Sequence, residues 1–149
     1  GKIEYNKRTN GIHSAPAPAG VRLHFPTERK DASMKLQTEK GEITISSDVF
    51  TNITGAAATN CYGVKGMAMR SKTDGLVHLL RRESMGKGVK VTYNEDSSVS
   101  IELHIMVDNG VNLMAVSRSI MSEVRYIVSR TTGADVRSVD VCIDSMVIG

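Results

Sequence analysis

His104 and Glu102 lie two residues apart in VSIELHIMVD, so on an extended strand their side chains leave the same face. Asp140 and Asp144 share a face of VDVCIDS in the same way. An imidazole among carboxylates is a donor set for a divalent metal or for acid–base chemistry, and these four would converge if their strands were neighbours. Alternation alone, however, requires an outward polar residue at every second position of a half-buried strand. The pattern is therefore read as a solvated sheet face of Lys90, Glu102, His104, Asp140 and Asp144, with no catalytic residue, cofactor or metal assigned. His78, beside Leu79 and Leu80, is read as an ordinary helix residue. Cys61 and Cys142 have neither C-x-x-C nor His-rich spacing, so they are read as reduced structural thiols, and Cys61 has no nearby base to make it a nucleophile.

A second constellation is made of small residues, GAAATNCYGVKGM from Gly55 to Met67. It is not a Walker loop, because Asn60 stands where the second glycine belongs. A dinucleotide turn would run from strand to helix, whereas Gly63 and Gly66 follow a helical pattern and precede a strand. The G-V-K-G at Gly63 to Gly66 matches the loop with which KH domains clamp an RNA backbone. Lys65, Arg70, Lys72, Arg81, Arg82 and Lys87 add a basic stretch around it, against Asp74 and Glu83. A KH-like RNA-binding module is thus the alternative function. The preferred reading is packing: Ala57 faces inward on a helix that lies too close to its neighbours for larger side chains. The state of Val64 to Arg70 discriminates, since a helix there supports KH and a strand supports packing.

The elements that must hold these residues follow from periodicity. GEITIS alternates as a short strand, Ser46 is placed to cap a helix, and Asp48 sits in its first turn. That helix is expected from about Ser47 to Tyr62, with Val49, Ile53, Ala56 and Ala57 on its apolar face and Gly63 as its left-handed cap. Met67 and Met69 mark a strand, and Leu76, Val77, Leu79 and Leu80 a short helical insert. VKVTY and VSIELHIMV form an antiparallel hairpin across NEDSS. Asn112 caps a long amphipathic helix carrying Leu113, Val116, Ile120, Val124, Ile127 and Val128, which ends before Gly133. Val139, Val141 and Ile143 define a closing strand with an acidic outer face. The expected fold is α+β: an open two-layer sandwich, a mostly antiparallel sheet of about four strands with two amphipathic helices on one face.

At 149 residues the chain is one domain in length, and its 4% aromatic content makes the core aliphatic. No apolar run is long enough to span a bilayer, and a signal-peptide core is lacking in the N-terminal stretch. Of the 19 basic and 16 acidic residues, six and three fall in residues 1–33, which leaves 13 of each after it and puts the whole net charge of +3 in that stretch. Residues 1–33 hold all three prolines and no sustained period. They read as a disordered leader, of vector-encoded or upstream-translated origin or else a genuine flexible arm, with 34–149 as the domain. Val21, Leu23 and Phe25 are the exception, alternating as an edge strand would.

Four segments, GEITISSDVFTNITGAAATNCYGVKGM, GKGVKVTY, VSIELHIMVDNGVNL and TTGADVRSVDVCIDSMVI, in this order, resemble the alkaline shock protein family, small envelope-stress proteins of Gram-positive bacteria. The resemblance covers nearly everything after residue 33. It implies a cytoplasmic protein-interaction scaffold, peripheral at the inner face of the cell membrane through an integral membrane partner, and without catalytic residues or a cofactor. Self-association is expected beside it, with the polar sheet face and the basic insert as the two available surfaces. Nucleic acid is not an expected partner, and membrane contact is expected to be indirect. No binding residue transfers from the family to this sequence.

Overall fold

The structure, a computed structural model, describes residues 2–6, 22–24 and 33–148, the first two stretches by their backbone. The described elements are β1 (Lys2–Asn6), β2 (Arg22–His24), β3 (Ser33–Thr38), β4 (Gly41–Ser46), α1 (Ser47–Thr59), β5 (Val64–Arg70) and β6 (Val77–Leu79). A 3-10 segment (Arg82–Gly88), β7 (Val89–Tyr93), β8 (Ser98–Asp108), α2 (Leu113–Thr132) and β9 (Asp135–Val147) complete them. The expected α+β sandwich is present, with six strands in the main sheet rather than about four, and a separate three-stranded sheet of β2, β3 and β4.

β8 is the axis of the main sheet. Val99, Ile101, Leu103, Ile105 and Val107 alternate with polar residues along it and are at most 1% exposed, so one face of the strand is completely covered. One edge of β8 is shared end to end by β7 and β5, both antiparallel to it. The other edge pairs in parallel with β9, which in turn pairs with the backbone of β1. Parallel pairing requires a crossover, and α2 supplies it.

α2 forms where its caps say it should. The Asn112 side chain accepts the Ala115 N–H at 3.0 Å, and Gly133 at φ +76° closes the other end with its N–H on the Ser129 carbonyl. Val116, Ile120, Val124 and Val128 repeat every four residues and are buried against the sheet, each removal from water contributing about 1.5–3 kcal/mol. α1 also begins after Ser46 as expected, although its cap is backbone alone, and it stops at Thr59. Gly63 lies three residues past the Asn60 cap, so its positive φ of +85° serves the turn into β5 rather than the helix end. The buried stripe of α1 is Phe50, Thr54, Ala57 and Ala58; Val49 is 40% exposed. The apolar face is therefore rotated from the expected one, because Phe50 is the larger anchor and takes the core position, while Ala57 is buried at 3% as expected.

The helical insert is corrected. Leu76 to Leu80 do not form a helix: Val77–Leu79 pairs with Arg70, Met69 and Ala68 of β5, and the only helical turn nearby is the 3-10 segment. The turn chemistry of Ser71 to Leu76 decides this. The Asp74 carboxylate accepts the Leu76 N–H at 2.9 Å, Gly75 takes φ +72°, and the Ser71 N–H reaches the Leu76 carbonyl, which folds the chain straight back onto β5. His78 is accordingly an exposed strand residue, 3.9 Å from Asp74, and not a helix residue.

The reading of residues 1–33 as disordered is corrected for nine of them, Lys2–Asn6, Arg22–His24 and Ser33, which lie in described strands. Lys2–Asn6 pairs with Ser138–Cys142, and Arg22–His24 pairs with Lys35–Gln37, because β9 and β3 each offer an open hydrogen-bonding edge to any extended segment. Val21 and Phe25 lie outside the described residues, as does the rest of the stretch up to Ala32. Met34 is completely buried in β3.

Candidate functional site

The outer face of the main sheet collects the polar residues that alternation sends outward. Lys90, Glu102 and Asp140 form one row across three strands, paired Lys90 to Glu102 and Glu102 to Asp140. The next row is His104 opposite Cys142. The register then breaks: Ile105 pairs with Ile143 but Met106 with Ser145, leaving Asp144 as the extra residue of a bulge. A bulge re-aims the side chain it carries. Here the Asp144 carboxylate lies 2.9 Å from His104 Nδ1. On the other side of the ring, Glu102 Oε1 lies 3.1 Å from His104 Nε2. All five predicted face residues are thus on the outer side, and three of them, Glu102, His104 and Asp144, are in direct contact.

An imidazole between two carboxylates has a definite proton requirement. A neutral ring has one N–H, so one of the two contacts would set a bare lone pair against a carboxylate oxygen. Both contacts become favourable when the ring carries two protons, or when a cation stands at one nitrogen. The side chains of His104 and Glu102 keep about a third of their surface exposed, while that of Asp144 is 14% exposed, so the Asp144 contact is the better shielded of the two.

Cys142 joins this group. One ligand atom each from Glu102, His104 and Cys142 lies within 4.8 Å of the others. Sequence spacing gave no sign of it, since 38 residues separate His104 from Cys142 and only the parallel β8–β9 register places them side by side. The outward position of Cys142 between Asp140 and Asp144 was the available signal. Cys61 is different in kind: burial pushes its thiol pKa up, and its sulfur lies 3.4 Å from the Ala57 carbonyl oxygen at the end of α1.

Two pairs of the basic residues border different depressions. Lys65 and Arg82 line a depression of about 390 Å³ with Ala56, Thr59 and Met85. Arg70 and Lys87 border a separate one of about 300 Å³ with His104 and Asp144. Arg70 also donates to the Gly75 carbonyl at 2.8 Å, while Lys72 and Arg81 are exposed elsewhere on the insert. Val64–Arg70 is a strand, so the G-x-x-G lies at a strand entrance and not between two helices. Its glycines have local reasons: a β-carbon on Gly63 would lie 2.9 Å from Val116 Cγ2, and one on Gly66 would lie 2.8 Å from Leu79 Cδ1, beside a register shift between β5 and β8. The KH geometry is absent from these residues.

An open α+β sandwich with helices on one face and a polar outer sheet face defines a class of small single-domain proteins, and comparison identifies which. The chain belongs to the alkaline shock protein 23 family, described as having a cell envelope-related function, which it matches over residues 35–148. It is similar to the uncharacterised protein YloU of Bacillus subtilis (strain 168), 35% identical over 115 residues that cover 76% of this chain and 95% of that one. It is also similar to the uncharacterised protein Spy1614 of Streptococcus pyogenes serotype M6, 31% identical over 115 residues, covering 76% and 94%. Both relatives are matched over almost their whole length, so the shared unit is the α+β domain itself. No solved structure matches the chain significantly. No described helix is long and apolar enough to cross a membrane.

Proposed function

We propose that this protein is a non-catalytic interaction module of cell-envelope homeostasis and stress response. It works at the cytoplasmic side of the membrane, self-associates, and is held there by a protein partner, in line with the family's envelope-related description. The observation that carries the reading is the asymmetry of the main sheet. Its inner face is sealed by α1 and α2, while Lys90, Glu102, His104 and Asp140 remain accessible or partly accessible on the other. A polar, half-exposed and rigid sheet face suits a protein surface with complementary charges, where rim-type contacts govern specificity more than affinity.

The test places a photo-crosslinking residue at Thr92, an exposed outer-face neighbour of Lys90, and separately at Arg118 on the exposed side of α2. Crosslinking in growing cells followed by membrane fractionation should give a discrete protein adduct in the membrane fraction from Thr92 and none from Arg118. Adducts from Arg118 alone, or a protein found entirely in the soluble fraction without adducts, would overturn the reading.

A further inference from the structure

The structure assigns a divalent transition-metal site to Glu102, His104 and Cys142, with Asp144 as the residue that orients the imidazole. This goes beyond an interaction role and does not depend on it.

The donors are mixed: one imidazole nitrogen, one carboxylate oxygen and one thiolate sulfur. Hard cations such as Mg²⁺ and Ca²⁺ take oxygen ligands, whereas this N, O, S set suits a borderline ion such as Zn²⁺, with Co²⁺ as its spectroscopic substitute. Tetrahedral Zn²⁺ at bond lengths of ~2.0–2.3 Å puts neighbouring ligand atoms ~3.3–3.8 Å apart. The His104 Nε2 to Glu102 Oε1 separation of 3.1 Å is already close to that. The outer limit of 4.8 Å for the whole set leaves about 1 Å to close, within the reach of side-chain adjustment on a fixed backbone.

The surroundings favour the same assignment. Asp144 occupies Nδ1 at 2.9 Å, so an Nδ1–H donated to that carboxylate fixes the tautomer with its lone pair on Nε2, the nitrogen that faces Glu102. A carboxylate behind the imidazole is the usual partner of a metal-bound histidine. A cation at Nε2 removes the clash between that lone pair and the Glu102 oxygen. The ligands come from two hydrogen-bonded strands in the middle of the sheet, with His104 and Cys142 directly paired, so the backbone holds them in register without a metal. Three protein ligands leave one coordination position for water on the exposed side.

Co²⁺ titration of the full chain under reducing conditions tests this. One equivalent should bind with an intense near-ultraviolet thiolate-to-metal absorption, and Zn²⁺ should displace it. Cys142→Ser should abolish that band, whereas Cys61→Ser should leave it intact. His104→Gln should weaken Zn²⁺ binding by at least tenfold, and Asp144→Asn by about 10–100-fold. Absence of Co²⁺ binding with metal in excess, or binding whose spectrum is unchanged in Cys142→Ser, would overturn the assignment. Far-ultraviolet circular dichroism separates lost ligation from lost folding in each variant, and the natural chain's own spectrum decides the matter even if a variant fails to fold.

Discussion

Gly55 on α1 and Met85 in the 3-10 segment touch: a β-carbon on Gly55 would lie 2.9 Å from Met85 Cγ and 3.0 Å from its sulfur. The glycine is buried in the middle of a helix, where it weakens the helix by about 1 kcal/mol relative to alanine, and the contact is what it is exchanged for. Gly55→Ala should therefore be slightly destabilising, while the same change in a Met85→Ala background should stabilise by about 0.5–1 kcal/mol. Urea unfolding of the four proteins gives the coupling between the positions, expected between ~0.5 and 3 kcal/mol. Additive effects would mean that the 3-10 segment does not rest on α1.

Gly63 and Gly133 both adopt left-handed backbone, at φ +85° and +76°, but only Gly63 is crowded. Gly133→Ala should cost about 1–2 kcal/mol, the strain of a β-carbon in that conformation, because nothing lies within 4 Å of the new atom. Gly63→Ala should cost more, since the same strain is joined by collisions with Val116 at 2.9 Å and Val111 at 3.1 Å. Thermal unfolding of the two variants side by side orders them, and equal losses would show that α2 yields freely at Val116.

The Thr54 and Ser117 hydroxyls, on α1 and α2, are completely buried and have no hydrogen-bond partner among the described residues. An orphaned buried hydroxyl costs about 1–3 kcal/mol, so deleting it should help. Ser117→Ala should raise stability by about 1 kcal/mol, helped by alanine's better helix propensity, and Thr54→Val should be neutral or stabilising. Loss of stability in Ser117→Ala, measured by denaturant unfolding, would show that the hydroxyl is engaged after all.

Burial pushes the Tyr93 phenol pKa up from 10.0 to about 12, where its ring meets Phe50 edge-on at 5.9 Å. Between those values the unfolded chain loses its proton first, so the unfolded state binds fewer protons and stability falls as pH rises from about 10 to about 12. Below pH 10 this contribution is fully present. Tyr93→Phe should flatten that part of the melting-temperature profile. An unchanged alkaline slope in the variant would place its origin elsewhere.

What was legible in the sequence was what local rules control. Asn112 and Gly133 bracket α2 because caps act within one turn, and the β7–β8 hairpin follows from alternation on either side of NEDSS. The insert was misread because Leu76, Val77, Leu79 and Leu80 fit a helical period, while the free edge of β5 that recruits them belongs to a distant part of the chain. The site shows the same division. Alternation put Glu102, His104, Asp140 and Asp144 on one face, but the pairing of His104 with Cys142 and the bulge at Asp144 are properties of β8–β9 register, which no spacing within either strand encodes.

The parallel position of β9 has a consequence for how the molecule is made. β8 is the most deeply covered strand, yet one of its edges stays open until α2 and then β9 have been synthesised, because β9 alone fills that place. During translation the nascent chain therefore displays a long aliphatic strand with an unpaired edge, and that edge is satisfied only after both helices have left the ribosome. Pairing of this kind is slow and exposes the chain to wrong partners. The nascent protein should be a client of ribosome-associated chaperones up to the moment β9 emerges, and translation stalled between α2 and β9 should yield a chain that is captured or degraded instead of folded.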